Sequence, residues 1–548
     1  MSNDAPRSHS FWSLFTEDED PAPSAAPGWG LLGSAPKPAA GPAAPLEPGA
    51  VTFNPDWVYW AMRHVPATEA PKHFMICGTT GSGKTTAIEL FLRSIAPRFQ
   101  AGHQPPEQLI LFDAKGDMMP LLAAVGLDHN AGNIWLLNPI DERSAYWNIG
   151  EAIDSPVMAR HLATLLVPEE RHSSAPYFAD AGRELVYAVL LALRATAGAD
   201  WDLRTLLCAL VSPEHIRAVT ARHPRAQALA ARILDDSLHG SGILSTLGSK
   251  LGRFEQVAAL WHTLQRKQPF SIREFLKTSG VLVLGNDPLL RESFWPLNAM
   301  LLRSLTQEIL SRENTLQPRH WFVLDEFRAM ERVDSIHDLL NRGRSKGASV
   351  LLGIQSVEGL IQIYGEHGAN DILTQCAHKT FLRAGGPKTA EWAESFFGKI
   401  RRTEPVLTEQ WSAGSHVKSI QYGIHERPLF LGSYFMDLPF PRVGEEFVAV
   451  NDVPWLKRIC ITRRPFDQLL AWNRKPGNIE EKHPPVKRRI DPSEQNLDSW
   501  TKDEELRYCG KAISSKDRGN SEEKPRRRKR SPKKKGGSSR PTREGLSK

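Results

Sequence analysis

At 548 residues, 41% of them hydrophobic and 24% charged, the chain is longer than one ordinary domain and has the composition of a folded protein, which excludes a fibrous or wholly disordered chain. Its formal charge of +7 is uneven: Lys524 to Lys548 hold 12 Lys/Arg and one Glu, a net +11, which leaves −4 on the rest (+7 less +11) and excludes a surface coated throughout with phosphate contacts. The five cysteines have no CxxC or zinc spacing, and the longest apolar run, Leu185 to Leu193, falls short of the roughly 18 residues of a bilayer helix, so a reduced chain without a zinc site, secretory signal or membrane span is expected.

Residues 1–50 are rich in Pro, Ala and Gly and read as a disordered tail, with a compact domain expected to begin near Val51. The first clear strand is His73 to Cys77. Short apolar runs then recur at Leu109 to Phe112, Ile134 to Leu137, Val281 to Leu284, Trp321 to Leu324, Ser349 to Leu352 and Thr380 to Leu382. Alternating with helical stretches, such runs suit parallel strands buried on both faces, and they predict a doubly wound α/β sheet built from residues 51–147 and 278–473. Residues 148–277 carry apolar positions at three-and-four spacing and are expected to form an inserted all-α domain. After Phe397 the pattern predicts a β hairpin at the sheet edge, with arms near Ile400 to Leu407 and Val417 to Tyr422. Residues 474–548 read as a charged, largely disordered tail whose PRRRKRSPKKK run suits DNA phosphates or an anionic lipid surface.

Directly after the first strand stands Gly78-Thr79-Thr80-Gly81-Ser82-Gly83-Lys84-Thr85, followed by Thr86 and a helical pattern. Small residues in that order let backbone N–H groups wrap phosphates, while Lys84 neutralises the β/γ charge and Thr85 can ligate Mg²⁺, so ATP and Mg²⁺ are the expected cofactors. His320 to Leu324 then delivers Asp325 and Glu326 at the ligand edge of the sheet. Asp325 would hold the metal through water and Glu326 polarise the attacking water. The next strand ends in Gln355, placed to sense the γ-phosphate. Two readings of Asn341 to Lys346 stay open: Arg344 or Arg342 is offered to a neighbouring subunit's nucleotide, or the stretch is a solvated basic helix end.

Together GTTGSGKTT, LFDAKGD, LDEFRAM, LLNRGRSKGASVLLGIQS, YGEHGANDILTQCAHKTFLR and TAEWAESFFG resemble the TraD/TraG-type coupling ATPases of conjugation and type IV secretion, relatives of the FtsK/HerA class of ring translocases. The resemblance runs from about Phe74 to Leu438. It implies a RecA-like P-loop sheet with an all-α domain, a homohexameric ring, and ATP-driven transport of DNA, single-stranded or as a relaxase–DNA complex. It also implies that Lys84, Asp325 and Glu326 serve hydrolysis, with Arg344 acting in trans and Gln355 as sensor. Typical members carry N-terminal membrane helices, where this chain has its Pro/Ala-rich tail. The expectation is therefore a cytoplasmic protein without its own membrane span, recruited to the inner membrane by a partner and serving a secretion or conjugation machinery. The alternatives are a soluble FtsK/HerA-like DNA pump and a nucleotide-switched adaptor that is not a motor.

Overall fold

The computed structural model describes residues 54–510 apart from 169–175, 237–238, 265–268, 288–289, 413–414, 457, 474–477, 488–496 and 498. The tail expected at 1–50, the start at Val51 and the basic run beyond 510 lie outside the described residues. Strands β1 (Trp57–Trp60) and β2 (Arg63–Pro66) form a hairpin. Strand β3 (Phe74–Cys77) leads through the glycine-rich loop into helix α1 (Lys84–Ile95), and β4 (Gln108–Phe112) and β5 (Ile134–Leu137) follow. The chain then leaves the sheet at β6 (Tyr146–Trp147) and returns at β7 (Pro269–Phe270) before β8 (Gly280–Leu284), β9 (Thr315–Leu324), β10 (Lys346–Ile354) and β11 (His378–Phe381). A hairpin of β12 (Lys399–Ser412) and β13 (Ser415–Pro428) precedes β14 (Glu446–Val453) and β15 (Arg458–Pro465).

Nine strands form one sheet in the order β15-β14-β11-β3-β10-β9-β4-β8-β5. The seven from β11 to β5 are mutually parallel, and β14 runs antiparallel to both its neighbours. Alternation of side chains across a strand explains why those runs are apolar throughout. Phe74, Ile76, Leu109, Leu111, Val281 and Trp321 face one buried layer, while Met75, Cys77, Ile110, Leu282 and Phe322 face the other.

Between β6 and β7 lie the helices Pro156–Leu166, Pro176–Ala197, Leu203–Ala209, Pro213–Thr220, Pro224–Leu234, Gly240–Leu251 and Glu255–Leu264. Three begin with a capping side chain followed by proline at the first helical position: Ser155, Ser212 and His223 accept from the backbone N–H three residues on. Such a start satisfies one orphan donor and presets φ. The apolar core of these helices is continuous with one face of the sheet. Their neck is a parallel pairing, Tyr146 against Pro269 and Trp147 against Phe270, so the stretch expected to be helical throughout also carries a strand at its return.

Two other expectations change. The hairpin arms near Ile400 and Val417 form their own two-stranded sheet, and the edge of the main sheet is instead β14–β15, whose apolar residues 447–450 anchor it. Among the described residues of 474–510, moreover, the chain is ordered by docking. Helix Ile479–Lys482 packs on helix Met118–Ala124. Residues 485–487 then bond along the loop beyond β5: Glu142 N to Lys487 O at 3.2 Å, Lys487 N to Asp141 Oδ2 at 3.1 Å and Arg143 Nη2 to Pro485 O at 2.9 Å. Finally, helix Lys502–Cys509, opened by a Thr501–Glu504 capping box, settles on the inserted helices. Arg204 forks onto Glu504 at 2.7 and 3.3 Å and onto Ser499 O at 2.8 Å, while Trp500 is buried beside His215 and Tyr508. The segment's described pieces thus contact the β4–β5 side of the sheet and the inserted helices. Polar sequence hid it because its anchors are few and lie far away in the chain.

Trp500→Ala removes the aromatic anchor and is expected to cost about 3 kcal/mol of docking; hydrogen exchange over 502–509 should accelerate while β3, β4 and β9 keep their protection. A second expectation concerns acid. Burial holds His73 at about 4, His320 at about 3 and His378 at about 4, against an ordinary 6.5. His73 is fixed as the neutral ring, since Val350 N donates to its Nδ1 at 3.2 Å while its Nε2 donates to Leu340 O at 2.9 Å. Above pH 6.5 these rings are neutral in both states, but below it the unfolded chain takes up protons that the folded one refuses. Stability is therefore lost as pH falls from 6.5 towards 4, by about 2 kcal/mol per histidine at pH 5. Melting at pH 7 and pH 5, with proton uptake on unfolding, checks this.

Candidate functional site

The carboxyl ends of β11, β3, β10, β9 and β4 lie side by side, and each carries a piece of the site. At the end of β3 the loop is tied to both flanking strands: Gly78 N donates to Ile354 O at 3.1 Å and Thr79 N to Arg383 O at 2.9 Å. Gly81 and Gly83 hold φ of +80° and +91°, a region side chains disfavour, and this turn points the backbone N–H groups inward. Gly83 precedes α1 with no side-chain cap, so the helix start offers Lys84, Thr85 and Thr86 N–H groups to a ligand. The buried Ser82 Oγ has no hydrogen-bond partner among the described residues. An orphaned hydroxyl inside a cradle of amides fits a phosphate group.

At the end of β9 the chain turns sharply, with Glu326 at φ 56° and ψ 48°. A non-glycine residue in the left-handed region carries roughly 1–2 kcal/mol of strain, held here by the carboxylate's own contacts. Lys84 Nζ lies 3.4 Å from Glu326 Oε1 and 3.7 Å from Asp325 Oδ1, and Gln355 Nε2 donates to Glu326 Oε2 at 2.5 Å. Burial works to raise the Glu326 carboxyl, but the Gln355 bond and the charges of Lys84 and Lys115 outweigh it and hold the group below its ordinary value. Gly353 on β10 makes room for the pair, since a Cβ there would meet Asp325 Oδ1 at 2.6 Å.

The structure therefore brings together Gly78 to Thr86, Lys84, Asp325, Glu326 and Gln355. Arg344 it does not. That residue is exposed in the turn Gly343–Ser345 before β10, at the opposite end of a nine-residue strand. At about 3.3 Å per residue it stands roughly 30 Å from the loop of its own chain.

Sequence reasoning assigned no role to Lys115. Its Nζ stands 3.3 Å from Thr85 Oγ1, 3.5 Å from Asp325 Oδ2 and 3.9 Å from Glu326 Oε1. It is aimed there by Asp113, whose carboxylate accepts from the N–H groups of Gly116, Asp117 and Met118 and folds the loop after β4. Burial, with the charge of Asp117, pushes Asp113 up to about 6 despite those bonds. The signal was present in LFDAKGD, a strand ending at the same edge with a lysine two residues beyond its first acid. Lys115 thus places a positive charge between the oxygens of Thr85 and Asp325, a hard-oxygen pair of the kind that suits Mg²⁺.

A family model described as the type IV secretion-system coupling protein DNA-binding domain matches residues 62–444. The chain belongs to that family. It is 21% identical over 350 residues to Coupling protein TraD of Escherichia coli (strain K12), covering 63% of this chain and 46% of that protein, so it spans less than half the length of that curated relative. Among solved structures it is similar to the bacterial conjugative coupling protein TrwBdeltaN70 in its unbound form, with a TM-score of 0.56 and 20% identity over 77% of this chain and 90% of that one. It is also similar to plasmid coupling protein TrwB in complex with ADP and Mg²⁺, with a TM-score of 0.55 and 21% identity over 75% and 89%. The fold is accordingly that of a P-loop NTPase with an all-α unit, as in these coupling proteins.

Gly353→Ala should displace the Asp325 carboxylate while costing about 1–3 kcal/mol in the sheet. The expected outcome is a folded protein whose Mg²⁺-dependent nucleotide affinity falls tenfold or more, measured by titration with and without Mg²⁺.

Proposed function

We propose that this coupling-protein family member is an ATPase that moves DNA, serving conjugative transfer or type IV secretion. The observation that carries the reading is the convergence of Lys84, Asp325, Glu326 and Gln355 on one phosphate-wrapping loop at a single sheet edge. Residues 51–147 and 278–473 make the ATPase core, and 148–277 the inserted helical domain.

The loop and α1 start bind the triphosphate through backbone N–H groups, with Lys84 against its β/γ oxygens. Bound Mg²⁺ would supply charge neutralisation at those oxygens, held by Thr85 and, through water, by Asp325. Glu326, kept as a carboxylate by its neighbours, orients the attacking water and accepts its proton. Gln355, now bonded to Glu326, exchanges that bond when a γ-phosphate arrives and so reports its presence to β10. Arg344 is out of reach of its own chain's loop, which fits a homohexameric ring in which it meets the neighbour's nucleotide. Among the described residues no helix is long and apolar enough to cross a membrane. The reading includes a partner that recruits the chain to the inner membrane. Family membership favours the transfer setting over an unlinked DNA pump, with single-stranded DNA or a relaxase–DNA complex as cargo.

Turnover of ATP by the full chain, measured with and without single-stranded DNA alongside particle mass, tests this. Glu326→Gln is expected to lower turnover by about 10²- to 10⁴-fold with nucleotide still bound. Lys84→Ala should lose binding, and Arg344→Ala should bind nucleotide yet fail to turn it over. Undiminished hydrolysis by Glu326→Gln would sink the assignment.

A further inference from the structure

The phosphate-binding loop has two sides in the sheet. On one, across β10, stand the acids after β9, which mark the γ-phosphate end of the site. On the other, across β11, the chain enters β14 through Leu438-Pro439-Phe440-Pro441-Arg442. The nucleoside of a nucleotide whose γ-phosphate points towards β9 must therefore leave the loop on the β14 side.

On that side stands a partly exposed aromatic ring. Phe440 is 40% exposed, yet its ring edge comes within 3.7 Å of where a Cβ on Gly81 would be, so it rests directly on the loop. Proline on both sides keeps Leu438 and Phe440 in extended conformations and makes the bracket stiff. Pro441 and Phe447 seat that bracket against Gly83, where an added Cβ would meet them at 3.1 and 2.8 Å. Arg383, whose carbonyl accepts from Thr79 N, donates Nη1 to Leu438 O at 2.7 Å and lays its guanidinium over the Phe440 ring at 4.6 Å. One face of the ring is thus covered by a cation and one edge is on the loop, while 40% of the residue stays exposed.

We propose that Phe440 is the stacking platform for the base of the bound nucleotide, with Arg383 as the residue that positions it. The proposal rests on the reading of the loop as a nucleoside-triphosphate site and adds where the base lies. A π-face carries no donor or acceptor pattern, so the platform holds purines without choosing between them. A flat ring under a guanidinium is also preorganised, and stacking there orders no flexible side chain.

The test compares ATP with inorganic tripolyphosphate, each with Mg²⁺, on the full chain. Stacking of one base contributes about 1–3 kcal/mol, so Phe440→Ala should weaken ATP and GTP alike by roughly 5- to 150-fold and leave tripolyphosphate within twofold of wild type. Phe440→Trp should restore nucleotide affinity, and its fluorescence should respond to ATP and not to tripolyphosphate. Equal weakening of ATP and tripolyphosphate by Phe440→Ala would mean that the ring only props the loop, and unchanged ATP affinity would mean that the base lies elsewhere; either overturns the proposal. Wild-type chain that binds neither ligand would remove the nucleotide reading itself, and the platform with it. An unchanged melting temperature of each variant separates these outcomes from misfolding.

Discussion

Lys84 is a charged side chain almost wholly out of water, and the rest of the site is arranged around that fact. An ammonium buried without a partner costs several kcal/mol, so its neighbours must carry the opposite sign and be held in place. Asp325 and Glu326 supply two negative charges and Lys84 and Lys115 two positive ones, all within 4 Å contacts. The set is neutral as it stands. A triphosphate entering it brings more negative charge than one divalent metal cancels, which leaves a place for a further cation from outside the chain. An exposed Arg344 on the far edge of the sheet suits that need only in a neighbouring copy, which is the physical sense of the ring proposed above.

Much of this was legible because it depends on local backbone demands. A loop that wraps phosphates needs small residues before a helix, and a strand buried on both faces needs an unbroken apolar run, so Gly78 to Thr86 and the runs ending in Asp325 and Gln355 announce themselves. Lys115 is different. Its role comes from Asp113 folding a turn by accepting three backbone N–H groups, and nothing in the identity of a lysine after a strand distinguishes that from a solvated one. Phe440 is harder still, since its place on Gly81 follows from β14 lying two strands away from β3, a nonlocal pairing. The edge strands β14 and β15 were missed for a related reason. The run Phe447–Val450 of β14 is apolar and buried like those of the parallel strands, but its antiparallel place follows from a nonlocal pairing with β11, and β15 mixes Arg458, Arg463 and Arg464 with its apolar residues. The helix Lys502–Cys509 has a readable capping box, but its reason for being ordered is Arg204, some 300 residues earlier.

The course of the C-terminal segment has a mechanical meaning. The inserted helices join the sheet at the β6–β7 neck and share an apolar core with one face of it. Beyond β15 the described residues 479–487 pack on the β4 and β5 side of the sheet, and residues 499–509 grip the same helices through Arg204, Trp500 and Tyr508. Those contacts tie the inserted helices to the sheet a second time, through covalent chain as well as through the shared core.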